Sequence, residues 1–225
     1  VDHNTFCFFG TAQDHKRVGE GDKGPNTGGM GAYSPAKSLT EKIEQKIINK
    51  IIKPTLNALK KMGHPYKGFL YAGLMIRNNE PYLIEYNIRM GDPECQVLMM
   101  RLKTNLNDIL KATVNNTLKD LKINWANDSC MTVVLCSNGY PGTYKKNIEI
   151  QNLESVHLDS NNQIFHAGTF EKDGRIYSNG GRVLNVTSLN KNLISSRDQC
   201  LDILNKINWK GGFFRKDIGW RVIDK

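Results

Sequence analysis

The stretch Tyr82-Leu83-Ile84-Glu85-Tyr86-Asn87-Ile88-Arg89-Met90-Gly91-Asp92-Pro93-Glu94 reads as a strand, a sharp turn and the start of a helix. In an extended strand successive side chains alternate faces. Glu85, Asn87 and Arg89 then share one face, while Ile84, Tyr86 and Ile88 share the other, which reads as core. A carboxylate and an amide carbonyl two residues apart are hard oxygen donors of the kind that suit Mg²⁺ brought in with a nucleotide. Arg89, a fixed cation, would hold an anionic group beside the metal. An ordinary half-exposed strand has the same alternation. Gly91 and Pro93 enforce a turn, and Pro93 suits the first turn of a helix running to about Arg101, which brings Asp92 to the strand end.

Working outward, Gly68–Arg77 and Pro81–Arg89 flank Asn78-Asn79-Glu80 and predict a β-hairpin. Ser38–Met62 predicts a helix. Ser38 and Glu41 have capping-box spacing, Ile43, Ile47, Ile51 and Ile52 form a stripe, Pro54 kinks or divides it, and Gly63 ends it. Before it, Gly10–Pro35 reads as a long glycine-dense loop. Amides near Gly28, Gly29 and Gly31 could approach an anion, although the spacing is not that of a P-loop. Asp14-His15-Lys16-Arg17 offers both signs of charge, and on that alone a solvated charged turn is the favoured reading over a site. Asp2-His3-Asn4 reads as a turn entering a strand over Thr5–Phe9.

A further helix is expected from Asn105 to about Thr113. Beyond Ala126 the chain turns strand-rich, with Met131–Cys136, Ile164–Ala167, Gly174–Tyr177 and Arg182–Thr187 as strands and a helix over about 192–206. The fold class expected is α+β, with domains over 1–125 and 126–225.

A net charge of +9 over 225 residues raises nucleic acid as a partner, but the basic residues lack the aromatic interleaving of a single-strand binder. A solvated basic surface is the favoured account of the charge, and small anionic substrates would also fit. Five cysteines without paired spacing read as reduced thiols and imply no zinc-type site. No apolar run is long enough to span a bilayer, so a soluble, cytoplasmic protein with neither membrane nor nucleic-acid partner is expected. No targeting signal precedes Val1, and the chain reads as beginning within a domain.

The segments AQDHKRVGEGDKGPNTGGMGAYSP, GFLYAGLMI, IEYNIRMGDPECQ, GYPGTY, FHAGT, GGRVLNVT and FRKDIGWR, in this order, resemble the phosphoribosylamine-glycine ligase (glycinamide ribonucleotide synthetase) family of ATP-grasp enzymes. The resemblance implies the second half of an ATP-grasp domain, an antiparallel sheet with helices, followed by a small strand-rich domain. It implies an ATP-dependent carbon-nitrogen ligase of purine biosynthesis, with ATP, glycine and 5-phosphoribosylamine as substrates and Mg²⁺ or Mn²⁺ as cofactor. Glu85 and Asn87 correspond to metal ligands, Arg89 to an acyl phosphate contact, and Asp92 to glycine or metal organisation. Asp14, His15 and Lys16 correspond to contacts with glycine or the ribosylamine, Gly28, Gly29 and Gly31 to a loop closing over the nucleotide site, and Arg215 and Lys216 to a grip on ribose 5-phosphate. The family's chain is about twice as long, so an amino-terminal half is the implied partner, and these residues alone are expected to be inactive. Another ATP-grasp ligase, or a basic nucleotide- or nucleic-acid-binding module, is the competing reading.

Overall fold

The computed structural model describes every residue except Asn4, Asp224 and Lys225, so part of the expected opening turn lies outside the described residues. Four short strands come first: β1 (Gln13–Asp14), β2 (Arg17–Gly19), β3 (Lys23–Asn26) and β4 (Gly31–Ser34). Helix α1 (Glu41–Ile47) continues through a π-helical segment (Ile48–Ile52) into α2 (Lys53–Lys61). Then come β5 (Tyr71–Arg77), β6 (Glu80–Asn87), α3 (Glu94–Arg101) and α4 (Leu106–Asn115). The remainder is β7 (Ser129–Ser137), β8 (Glu149–Ile150), β9 (Asn162–His166), β10 (Thr169–Lys172), β11 (Arg175–Ser178), β12 (Arg182–Asn190), α5 (Leu193–Lys206), β13 (Gly212–Phe213) and α6 (Trp220–Ile223). The fold is α+β with antiparallel sheets.

The chain divides into two compact units, one of Val1–Thr11, Ala36–Gly91 and Leu102–Trp125, the other of Ala12–Pro35, Asp92–Arg101 and the chain from Ala126 onward. The units are discontinuous in sequence, and Ala12–Pro35 and Asp92–Arg101 group with the residues from Ala126 onward. Strand pairing across the sequence decides this, and composition along the chain does not reveal it.

In the first unit the expected hairpin forms from β5 and β6. Asn78 and Asn79 take left-handed conformations (φ 53° and 58°), which match the twist of a two-residue hairpin turn. Glu85 faces Gly73 and Leu83 faces Leu74, so Ile84 is an extra residue in a bulge and strict alternation breaks there. The expected core face is therefore corrected: Ile84 is 64% and Ile88 79% exposed. Tyr86 alone of that trio packs inward, its hydroxyl 2.8 Å from the Thr55 hydroxyl of α2 and 3.3 Å from the Ile51 carbonyl.

The cap of α1 is Thr40, whose hydroxyl accepts from the Ile43 amide at 3.4 Å, and the expected Ser38 capping box does not form. Ile43 and Ile47 are buried, and Pro54 follows directly on the π-helical segment, whose wider i→i+5 bonding leads into it without ending the helix. Thr5–Phe9 is not a strand; Cys7 and Phe9 pack against the cluster of Ile109, Ala112 and Leu118, with the Phe9 ring edge-on to Phe69 and Trp125 at centroid distances of 5.2 and 5.3 Å.

The second unit is built on a six-stranded sheet in the order β1-β4-β7-β12-β9, with β13 also on β7. The expected Gly10–Pro35 loop is corrected here. Its β1 and β4 are sheet members, joined by Gln13↔Tyr33 and Asp14↔Ala32, and β4 pairs β7 from Gly31↔Val133 to Ser34↔Cys130. Residues 130, 132 and 134 point to one face and 131, 133 and 135 to the other. Val97 of α3 clusters with Cys130 and Ala32, and α5 also packs on β7 and β12. With both faces covered, β7 is buried along its whole length.

Candidate active site

In the first unit, Glu85 and Asn87 lie together near the end of β6, with the Asn87 amide nitrogen donating to Glu85 Oε1 at 3.2 Å. The stem of Glu85 crosses Gly73, where a Cβ would stand 3.2 Å from Glu85 Cγ. A half-turn of the Asn87 amide would place its carbonyl oxygen beside the Glu85 carboxylate, so the pair fits a hard cation that takes its other ligands from water and phosphate oxygens. Among the described residues no group of three or more His, Cys, Asp or Glu is placed to hold a metal. Arg89 lies past the end of β6, in a bend, and donates to the Met90 carbonyl at 3.0 Å; it is not on the strand as expected.

In the second unit, Asp14 sits on edge strand β1 with its side chain 10% exposed and Lys16 Nζ 2.6 Å from Oδ2. Burial, and then the charge of Glu94, push the Asp14 carboxyl up to about 6, outweighing the pull of Lys16. Glu94, at the first turn of α3, is itself buried. Asp92, just before that helix, accepts from Gln96 Nε2 at 2.9 Å and from Arg182 Nη2 at 2.8 Å. Asp14, Lys16, Asp92, Glu94 and Arg182 thus belong to one unit, although Arg182 is far from the others in sequence.

His15 does not present its ring to solvent. It is 5% exposed, its Nε2 accepts from the Gly219 amide at 3.0 Å, and burial followed by repulsion from Arg215 lowers its pKa to about 4. It is a neutral structural imidazole near pH 7. Arg215 is also corrected: it is 1% exposed and engages Asp217, Asp22 and the Arg17 carbonyl. Burial pushes the Asp22 and Asp217 carboxyls up, but Arg215 holds both below the ordinary carboxylate value. Lys216 is exposed, and its backbone amide donates to Glu20 Oε1 at 3.1 Å.

In the glycine-dense loop the amides of Gly28 and Gly29 are already engaged. The Gly28 amide donates to the Tyr140 hydroxyl at 2.9 Å and the Gly29 amide to Thr27 Oγ1 at 3.0 Å. Gly31 is inside β4, where a Cβ would stand 2.6 Å from the Thr132 carbonyl oxygen. These glycines are required for close packing. Sequence reasoning passed over Arg182 and Tyr140, whose only signal was their place in GGRVLNVT and GYPGTY.

Residues 1–95 match the family described as Phosphoribosylglycinamide synthetase, ATP-grasp (A) domain, and residues 130–221 match Phosphoribosylglycinamide synthetase, C domain. The chain is similar to phosphoribosylamine–glycine ligase of Agrobacterium fabrum, 49% identical over 222 residues that cover 99% of this chain and 52% of the relative. It is equally similar to the chloroplastic phosphoribosylamine–glycine ligase of Arabidopsis thaliana, 49% identical over 99% of this chain and 43% of the relative. Among solved structures, the phosphoribosylamine–glycine ligase of Thermotoga maritima superposes with a TM-score of 0.80 at 34% identity, over 96% of this chain and 53% of that one. The chain spans about half the length of the curated bacterial relatives it matches. With both domain families matched in order along it, this chain belongs to the phosphoribosylglycinamide synthetase family.

Proposed function

We propose that the protein carrying these residues joins glycine to 5-phosphoribosylamine at the expense of ATP, forming glycinamide ribonucleotide, ADP and phosphate. The observation that supports this most is the 49% identity, over nearly the whole chain, to relatives named for that ligation. The glycine carboxylate attacks the γ-phosphate to give an acyl phosphate and ADP, and the ribosylamine nitrogen then displaces phosphate from the acyl carbon. Such chemistry needs positioning and charge neutralisation more than a protein nucleophile.

Glu85 and Asn87 are assigned to Mg²⁺, or Mn²⁺ in its place; when bound, the metal offsets charge on the ATP phosphates. Arg89 is assigned to the acyl phosphate, Asp14 and Asp92 to the amino groups of the substrates, and Lys16 and Lys216 to anionic substrate groups. Buried His15 and Arg215 support these residues and are not substrate contacts in this reading. The rest of the nucleotide site is assigned to a segment corresponding to the other half of the relatives' length.

The test is ADP release that requires glycine, 5-phosphoribosylamine and Mg²⁺ together, in a protein carrying these residues and that segment. Glu85→Gln with Asn87→Ala is expected to abolish Mg²⁺-dependent turnover while leaving the circular dichroism spectrum unchanged. ADP release that ignores glycine rejects the ligation, and full turnover in the double variant rejects the metal assignment.

A further inference from the structure

The corner Ala167-Gly168-Thr169, the segment Gly180-Gly181-Arg182 and the turn Gly139-Tyr140-Pro141-Gly142 take no part in the chemistry above, yet the corner packs on the backbone of Gly180 and Arg182, and the turn on Gly181 and Gly28. The Gly168 amide donates to the Arg182 carbonyl at 3.0 Å, and a Cβ at Gly168 would stand 2.5 Å from Gly180 Cα, so the backbone before Arg182 is held by a glycine-on-glycine approach. Gly181 lies so close to the Tyr140 ring that no side chain fits between them. The pairing of β12 with β7 shifts register between Arg182 and Leu184, a bulge that re-aims the Arg182 side chain.

So aimed, Arg182 Nη1 donates to the Gly28 carbonyl at 3.0 Å and the Asp92 carbonyl at 2.7 Å, while Nη2 donates to Asp92 Oδ2 at 2.8 Å. Tyr140 takes the other side of Gly28 through its amide. Gly28 is thereby gripped at both its N–H and its C=O. Gly29, next to it, lies against Pro93 and Asp14, where a Cβ would stand 2.5 Å from Pro93 Cδ and 2.8 Å from Asp14 Oδ1. The Arg182–Asp92 pair is partly solvated, at 21% and 44% exposure, so its direct contribution to stability is small. What a planar fork supplies here is geometry, since one lysine nitrogen does not reproduce its pattern of bonds.

We propose that Arg182 is a positioning residue of the active site, which fixes the Asp92 carboxylate and the Gly28–Gly29 backbone in a single arrangement about Asp14. The proposal rests on the ligase reading above for the substrates that Asp14 and Asp92 meet, while the clamp itself is measurable without turnover.

The experiment compares Arg182→Gln, Arg182→Lys, Asp92→Asn and the Arg182→Gln/Asp92→Asn double variant. In the 225-residue chain, Arg182→Gln is expected to speed amide hydrogen exchange at Gly28 and Gly29 by about tenfold and to leave Val133 and Val186 of the sheet unchanged. In the active protein, kcat/KM for glycine-dependent ADP release is expected to fall by about a hundredfold. The double variant is expected to be no worse than the worse single one, and Arg182→Lys to recover part of the loss. Unchanged exchange at Gly28, equal acceleration at Val133 and Val186, or losses that multiply in the double variant would each overturn the proposal. If the unsubstituted protein releases no glycine-dependent ADP, the ligase reading fails, and exchange at Gly28 still decides whether Arg182 is the clamp.

Discussion

Arg215 and Asp217 meet at two points, Nε to Oδ1 and Nη2 to Oδ2, each at 2.8 Å, with the arginine almost wholly buried. Its remaining nitrogen, Nη1, reaches Asp22 Oδ1 at 3.0 Å and the Arg17 carbonyl at 2.9 Å. An arginine so engaged joins the end of the chain to the β2–β3 region of the same unit. The sequence assigned the same residue to a phosphate because FRKDIGWR displays a cation without showing that Asp217, two residues on, and Asp22 satisfy it.

Arg215→Ala is accordingly expected to destabilise the second unit by about 1–3 kcal/mol, since it takes this partner from the half-buried Asp22 and Asp217 carboxylates. Arg215→Lys should recover little, because a point charge cannot reproduce the fork. Lys216→Ala, at an exposed side chain, should cost under about 0.5 kcal/mol. Urea denaturation of the three variants checks the order, and a near-neutral Arg215→Ala would refute the structural role.

Asp14 and His15 are adjacent and titrate in opposite senses. Asp14 is raised from 3.8 to about 6, so its contribution to stability is complete below pH 3.8 and is lost as pH rises to about 6. His15 is lowered from 6.5 to about 4, so its contribution is complete above pH 6.5 and is lost as pH falls to about 4. The two slopes oppose each other between about pH 4 and 6. Relative to the parent, Asp14→Asn should gain stability as pH rises through that window and His15→Gln should lose it, each by up to roughly 3 kcal/mol. Unfolding free energies at several pH values would read both slopes, and parallel curves would reject the assignment.

At the hairpin turn, Asn79 holds φ 58°. Asn79→Gly should leave the hairpin as stable or slightly more so, whereas Asn79→Val should cost about 1–2 kcal/mol, the penalty of a branched side chain in the left-handed region. Thermal denaturation distinguishes them; equal melting temperatures would contradict the turn.

Gly29 is held at φ 127° against Pro93 and Asp14. Gly29→Ala should therefore destabilise by at least about 1–3 kcal/mol through overpacking, with backbone strain added. Gly63→Ala provides the contrast, since that glycine has positive φ but nothing near its Cβ position. A smaller loss at Gly29 than at Gly63 would mean that the close approach is absent.

Local pattern carried some elements well. The β5–β6 hairpin, the isoleucine stripe of α1 and the helix after Pro93 follow from periodicity and turn chemistry that act within a few residues. Other readings failed where distant pairing decided the outcome. Gly31-Ala32-Tyr33-Ser34 reads as loop because its glycine and short length give no strand pattern, yet it is a buried sheet strand through its partner on β7. The core face assigned to Ile84 and Ile88 failed because one bulge residue shifts the alternation and β6 stops at Asn87.

By itself, then, the sequence determined the family, through long motifs in fixed order, and the neighbouring pair Glu85 and Asn87, which strand geometry brings together across two residues. Tertiary structure alone decided which charges are available. It buried His15 and Arg215 against partners far along the chain, shifted Asp14 toward neutrality beside Glu94, and brought Arg182 to Asp92 and Gly28. The physical reason is that desolvation and hydrogen bonding depend on what surrounds a side chain in space, and residues close in the fold can be distant in sequence.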